Sequence, residues 1–366
     1  MIARSNRIFA ALDASSPVDA IVLMNGSANF LDATFRYVSG VTRGGFEGCT
    51  AVLLPGEEPH LIVSILEEES AATAPESQVH AYANRAALME ILKTLLGRAK
   101  RIGLNGPAVP WSKVRDLQRL FPEAELIDVE EAITTARLVK DAQEVALIRA
   151  ACRVTSEVAA EIPSMLRAGM TELDLSAEIA GAIQRRGGTT AFSTIVCFGK
   201  NGSEPHYSPG AVPLKPGDMI LIDFGTKKDH YCSDITRMYL FGKAQADQRR
   251  MFDVVMNAQR SALELTTAGR PARDVHREAS RIIDETEFAG RFIHGLGHSI
   301  GLDVHDGGGL NDASPLTLEA GMVMTIEPGV YVPGVGGVRI EDTVLVTDNG
   351  PEILTPVTKE LVEVSA

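Results

Sequence analysis

Four acidic residues occupy positions that a folded chain normally reserves for apolar side chains. Asp223 sits near the end of the run MILIDF, and Asp234 stands just ahead of ITRMYLF. Glu327 closes the run VMTIE, and Glu341 lies within VRIEDTVLV. A carboxylate inside an apolar strand is costly unless it is paired or holds a cation. Three histidines, His294, His298 and His305, fall within FIHGLGHSIGLDVHD, interleaved with glycines. Imidazole supplies a metal ligand or a proton-transfer group near neutral pH, and glycine lets the backbone come close to a bound group. Helical HExxH spacing is absent, which sets aside a metal helix of that type. A donor set rich in carboxylate and poor in histidine favours Mn²⁺, Co²⁺ or Fe²⁺ over a structural Zn²⁺. Two aspartates, two glutamates and one histidine are enough for two ions that share ligands. Paired ions roughly 3.5–4 Å apart generate hydroxide and clamp a tetrahedral intermediate. The residues therefore point to a two-metal hydrolase and leave its scissile bond open.

The acids must be positioned by two hairpins. The first spans residues 217–241, with arms Met219–Phe224 and Ile235–Phe241 rich in β-branched and aromatic residues. A turn near 227–230, symmetric about residues 228 and 229, puts Asp223 directly across from Asp234. Like charges facing each other across a ladder destabilise it, so a cation is expected there. Arg237 and the nearby lysines are candidates, but a divalent metal explains two inward carboxylates better. The second hairpin spans 320–346, with a turn near Gly334 that brings Glu327 opposite Glu341. Taken singly, Glu341 and Asp342 fit the solvent side of an edge strand. Four carboxylates on two similar hairpins do not.

Each hairpin follows a pair of helical patterns, at 141–166 and 172–186 for the first and at 246–267 and 271–287 for the second, which suggests an internal duplication. Ahead of them, strand candidates at 20–24, 50–54, 61–66, 101–104 and 125–129 alternate with apolar residues at helical spacing in 85–96 and 112–120. The glycine-rich segment 40–48 lacks the spacing of a phosphate-binding loop and reads as an ordinary loop. With a polar junction at 134–140, the expected organisation is α/β (α+β): a small N-terminal α/β domain over 1–134 and a catalytic domain over 135–366.

A chain of 366 residues accommodates two cores. It carries 48 acidic against 35 basic residues, a formal charge of −13. That balance excludes nucleic acid and anionic membrane as partners, because both require a positive surface. No apolar run approaches the length of a membrane span. The amphipathic N-terminus MIARSNRIFAALDASS does not resemble a signal peptide. The four cysteines, Cys49, Cys152, Cys197 and Cys232, form no CxxC pair and read as small buried hydrophobes in a reducing compartment. A cytoplasmic location is expected.

The ordered segments LIDFG, SDITR, HGLGHSIGLDVHD, TIEPG and VRIEDT resemble the pita-bread metallopeptidases, the family of methionine aminopeptidase, aminopeptidase P and prolidase. The resemblance covers residues 140–350 and implies a pseudo-twofold pita-bread catalytic domain. It implies Asp223, Asp234, His298, Glu327 and Glu341 as metal ligands, with Asp234 and Glu341 bridging two divalent ions, Mn²⁺ or Co²⁺ first and Zn²⁺ or Fe²⁺ as alternatives. Glu327 resembles the general base that shuttles the proton of a bridging water. His206 matches a histidine that stabilises the tetrahedral intermediate, and His305 one that bonds the scissile amide or its leaving nitrogen. His294, Arg339 and Tyr331 match positions of the substrate pocket. Ser299 stands where many relatives have glycine, a change between small residues with little expected consequence.

The N-terminal domain and His294 favour the proline-specific branch. That branch implies an Xaa-Pro dipeptidase or Xaa-Pro aminopeptidase acting on dipeptides or short peptides with proline second. The short N-terminal domain tilts toward the dipeptidase (prolidase). In this branch the N-terminal domain restricts the cleft and helps to form a homodimer. Competing readings are a same-fold hydrolase of a non-peptide amide or related small molecule, and a peptide-binding module without catalysis. Retention of all five ligands speaks against the binding module.

Overall fold

The computed structural model describes residues 1–27 and 31–365, which divide into two compact units, Met1–Arg137 and Leu138–Ala366. The segment 134–140, read above as a polar junction, is helical through Leu138, because the helix Glu130–Leu138 buries Ala132, Ile133, Ala136 and Arg137.

The first unit is built on a mixed sheet of six strands. Their spatial order is Gln78–Tyr82, His60–Ser64, Thr50–Leu53, Ala20–Met24, Arg101–Leu104 and Glu125–Asp128. The central strands are buried throughout, which is why their sequences read as unbroken apolar runs. Helix Arg85–Leu96 buries Leu88, Leu92 and Leu96, one side chain per turn, against Val22, Val52, Ile62 and Ile102 of the sheet. The segment 40–48 contains no helix or strand.

The second unit repeats one plan twice. Helices Ala142–Met165 and Glu172–Arg185 precede the hairpin arms Met219–Phe224 and Ile235–Phe241. Helices Ala246–Leu265 and Ala272–Asp284 precede the hairpin that contains Val323–Ile326 and Asp342–Thr347. The first helix starts at a capping box, in which Asp141 accepts from the Glu144 amide and Glu144 accepts from that of Asp141.

Strand alternation sorts each arm. Ile220, Ile222 and Phe224 join one core with the first helix pair, whereas Met219 and Leu221 face the core built on the second pair. Asp223 therefore shares the face of Leu221. In the second hairpin Ile340 and Val344 turn toward that same core, and Asp342 with them. Arg339, Glu341 and Thr343 take the opposite face. All four cysteines are buried and unpaired with one another. Among the described residues no helix is long and apolar enough to cross a membrane.

The register of the first hairpin corrects the expectation. Asp223 lies across from Thr236, not Asp234. Lys228 pairs with Tyr231, so the loop is the two residues Asp229 and His230, both at positive φ of 48° and 71°, the geometry of a tight hairpin turn. The centre thus falls one residue later than assumed. Asp234 sits outside the ladder, in the break between Tyr231–Cys232 and Ile235–Phe241. That break faces Gly225, where a Cβ would lie 2.0 Å from the Ser233 carbonyl oxygen, so only glycine allows the two arms to cross there. In the second hairpin Ile326 pairs with Asp342 and Gly329 with Arg339. Both registers, continued inward, set Glu327 across from Glu341 about a turn at Gly334, as the sequence suggests.

Candidate metal centre

Asp234, His298 and Glu341 each bring one ligand atom within 4.8 Å of the others. Asp234 comes from the break in the first hairpin, Glu341 from the second, and His298 from the two-residue strand Gly297–His298. His298 Nε2 is 3.7 Å from Asp234 Oδ2 and 3.5 Å from Glu327 Oε1. Its other nitrogen, Nδ1, lies 3.2 Å from the Ser299 carbonyl oxygen. A carbonyl accepts only, so the proton belongs on Nδ1 and the Nε2 lone pair faces the acids. That is the orientation a metal-ligating imidazole takes.

The carboxylates are crowded and undersupplied with donors. Among the described residues, Oδ1 of Asp223, Oδ1 of Asp234 and Oε1 of Glu341 are buried without a hydrogen-bond partner. Burial, followed by the charges of neighbouring acids, holds Asp234 and Glu341 well above the ordinary carboxylate range. Burial likewise raises Glu327. Three orphaned oxygens beside one lone-pair nitrogen fit divalent cations, which would neutralise the charge and fill the vacant acceptor positions.

The cation the protein itself supplies is Arg339, with a side chain 3% exposed. Its Nη2 donates to Asp223 Oδ2 at 2.5 Å, its Nη1 to the Tyr331 hydroxyl at 2.8 Å and its Nε to Thr236 Oγ1 at 3.1 Å. The Thr236 hydroxyl in turn donates a hydrogen bond to Glu341 Oε2 at 2.7 Å. Arg237, weighed above as a counter-ion for the site, serves elsewhere: it pairs with Asp342 at 2.7 Å. Asp342 also accepts from Gln259 and Lys359, so its charge is covered away from the acid cluster. Of the two adjacent acids, only Glu341 belongs to the site.

A cavity of about 390 Å³ opens onto the cluster, lined by Asp223, Asp234, His298, Glu327 and Arg339 together with Phe192, Ile195, His206, His294 and His305. His305 sets its ring edge-on to His298, centroids 4.2 Å apart. His206 is exposed on the cavity wall. His294 is tied down. Its Nδ1 is 2.7 Å from the Gly295 carbonyl oxygen and its Nε2 is 2.8 Å from the Tyr331 hydroxyl. Burial, and then the Arg339 charge, pushes its pKa down to about 4, so the ring is neutral. With Nδ1–H on the carbonyl, Nε2 accepts from Tyr331, whose oxygen in turn accepts from Arg339. His294, Tyr331 and Arg339 thus form one relay behind the Asp223 wall.

Three further residues shape the centre. Thr236 bridges Arg339 to Glu341. Thr325 Oγ1 accepts from the His298 amide at 3.0 Å and donates to Glu327 Oε1 at 3.2 Å. Both threonines stand inside the segments SDITR and TIEPG, and correct strand registers would have exposed their roles. The third is Lys140. Its ammonium is fully buried, 3.6 Å from Asp306 Oδ2, and donates to Ser299 Oγ at 2.9 Å. The Ser299 hydroxyl, expected to be of little consequence, therefore has a specific partner.

Acids and imidazole converging on paired hairpins define a metal-using enzyme, and comparison with known proteins gives its family. Residues 146–348 match metallopeptidase family M24, and residues 4–139 match the creatinase/prolidase N-terminal domain. The chain belongs to metallopeptidase family M24. An Xaa-Pro dipeptidase of Pyrococcus furiosus is 32% identical over 328 residues, covering 89% of this chain and 91% of that one. The structure of an X-Pro aminopeptidase from Thermotoga maritima superposes with a TM-score of 0.90 at 29% identity, covering 99% of this chain and 100% of that one. An Xaa-Pro dipeptidase from Bacillus anthracis gives 0.91 at 28% identity, covering 99% of each chain. The architecture is that of the pita-bread metallopeptidases, behind a creatinase-like N-terminal domain.

Proposed function

We propose that this metallopeptidase is an exopeptidase that hydrolyses the bond between a first residue and proline in dipeptides or short peptides, with the dipeptidase activity favoured. The observation that carries this reading is the group Asp234, His298 and Glu341, with its orphaned carboxylate oxygens, beside a cavity that Asp234 and His298 line together with His206 and His305. The proline specificity rests on the relatives, which include proteins named for both dipeptidase and aminopeptidase action.

Asp223, Asp234, His298, Glu327 and Glu341 would hold two divalent ions, Mn²⁺ or Co²⁺ before Zn²⁺ or Fe²⁺, with Asp234 and Glu341 serving both. When bound, such ions supply Lewis-acid polarisation of the scissile carbonyl and a lowered water pKa. The protein's groups do the rest. Glu327 takes the proton from the attacking water as its oxygen bonds the carbonyl carbon, and returns it to the proline nitrogen when the C–N bond breaks. His206 donates to the carbonyl oxygen as charge develops there. His305 orients the scissile amide. The Arg339–Tyr331–His294 relay holds the Asp223 wall and the substrate pocket rigid. A homodimer whose N-terminal domains shorten the cleft completes the reading.

Product analysis on Ala-Pro and Ala-Pro-Ala, with Mn²⁺ and Co²⁺ each supplied, tests the function. Cleavage of Ala-Pro with slower release of alanine from the tripeptide is expected, and faster tripeptide cleavage would reassign the chain as an aminopeptidase. Inactivity on both, with turnover of an acetylated amine, would overturn the peptidase reading in favour of a non-peptide hydrolase. Replacing His206 by alanine should lower kcat by about 10²–10³-fold, the usual effect of one lost donor to an oxyanion, at unchanged metal content. Loss of metal in that variant would make His206 a ligand instead.

A further inference from the structure

Helix Glu172–Arg185 begins with an acidic residue that is wholly buried, Glu172 at 0% exposure. No step of the chemistry uses it, yet all of its acceptor positions are filled. Oε1 accepts from the Phe198 amide and from Asn201 Nδ2, both at 2.8 Å. Oε2 accepts from the Tyr207 hydroxyl at 2.9 Å and from the Gly210 amide at 3.0 Å. A carboxylate has about four such positions, so nothing remains free for proton transfer. Its place in the first turn of the helix favours the negative charge.

The four donors share one property. Phe198 ends the strand Ile195–Phe198, and Gly210 lies beyond the turn that follows it. Asn201 and Tyr207 stand between them, so a single carboxylate grips one loop at both ends and twice in the middle. Asn201 Nδ2 also donates to the Tyr207 hydroxyl at 2.9 Å, which closes the grip on itself. This loop presents Pro205 and His206 to the cavity, and His206 is adjacent to Tyr207. Among the described residues no hydrogen bond fixes the His206 ring, so its position depends on the loop. Elsewhere the loop is held at Pro205, whose carbonyl oxygen accepts from Arg339 Nη1 at 3.5 Å, and by close backbone packing, with a Cβ at Gly337 placed 2.0 Å from the Gly202 carbonyl oxygen.

We propose that Glu172 is a positioning residue that acts through His206, setting the height and direction from which that imidazole meets the substrate carbonyl. The inference rests on the catalytic role given to His206 above. Misplacing an acting group by an ångström costs up to about 10²-fold in rate, and a neutral amide at position 172 must set an –NH₂ against donors that the carboxylate accepts.

The test is a double-mutant cycle on the metal-loaded protein with Ala-Pro. Glu172→Gln should lower kcat by about 10–10²-fold, with KM and metal content unchanged, and amide exchange over residues 198–210 should quicken. In a background that carries His206→Ala, the same substitution should add no further loss of kcat, because the group it positions has gone. Tyr207→Phe, which removes one donor and keeps the carboxylate charged, should give a smaller loss that also vanishes in that background. Wild-type kcat in Glu172→Gln, or losses that multiply in the double variant, would overturn the proposal. A wild-type protein inactive on Ala-Pro would instead defeat the peptidase reading, and exchange over 198–210 would still judge the grip.

Discussion

Replacing Glu341 by alanine should abolish turnover and the response to divalent metal together. Glu341 is 1% exposed, and one carboxylate oxygen accepts from Thr236, while the second has no partner among the described residues. In the proposed role, a ligand serving two ions, it cannot be lost without weakening both. With them goes the several kcal/mol of barrier lowering that such ions supply, a fall of about 10³-fold or more. Stability gives a second reading that needs no substrate. A ligand at a thousand times its Kd stabilises the folded state by about 4 kcal/mol, which in a unit of this size raises Tm by about 2–4 °C for each kcal/mol. The wild-type protein should therefore melt well below its metal-loaded temperature once chelator is added. Glu341→Ala should show little difference between the two conditions. Asp234→Ala should behave alike. A metal-dependent Tm shift of wild-type size in either variant, or normal turnover, would remove that residue from the ligand set.

Arg339→Met should be costly in a different way. The guanidinium donates to Asp223, Tyr331 and Thr236 at once, and among the described residues it is the only arginine or lysine lining the cavity. Removing one member of a buried ion pair strands the other and destabilises by about 3–5 kcal/mol. The loss should be largest in chelator, where no added cation covers Asp223, and smaller with metal bound. Arg339→Lys keeps the charge but has no planar fork to reach three partners, so it should fall between the two. Denaturant unfolding of the three proteins with and without chelator measures this. An Arg339→Met protein within about 1 kcal/mol of wild type in chelator would show that the pair does not hold this wall.

Much of this centre was legible in the sequence because burial writes itself into composition. Both arms of the first hairpin, Met219–Phe224 and Ile235–Phe241, were found to the residue, since buried strands are apolar and end abruptly. The acids stood out against that background. Register was harder. The loop Asp229–His230 contains no glycine, although aspartate and histidine tolerate positive φ better than most residues, and an error of one residue there exchanged Thr236 for Asp234 as the partner of Asp223. For the same reason Arg339 was read only as a pocket residue, because its hold on Asp223 spans 116 residues of chain. The strand Gln78–Tyr82 escaped notice: it is an edge strand with no fully buried residue, so neither face imposes a pattern. Glu172 stands in a first helical turn, where an acid is unremarkable, and its burial depends on a loop 26–38 residues away.

The buried ammonium of Lys140 has a consequence for how the chain can be dissected. The stretch that matches the peptidase family starts at residue 146, which makes it an obvious place to cut an excised fragment. Such a cut would withdraw Lys140 from Ser299 and Asp306, the residues that directly follow His298 and His305. It would also remove the bridge of Val139 to Met322 and the bond from the Lys140 amide to the Gly321 carbonyl oxygen. Losing a buried cation from beside its carboxylate costs about 3–5 kcal/mol, a large part of what holds a domain folded. A fragment of the second unit should therefore begin ahead of Val139, because a few residues outside the matched stretch help to hold the segment that carries His298 and His305.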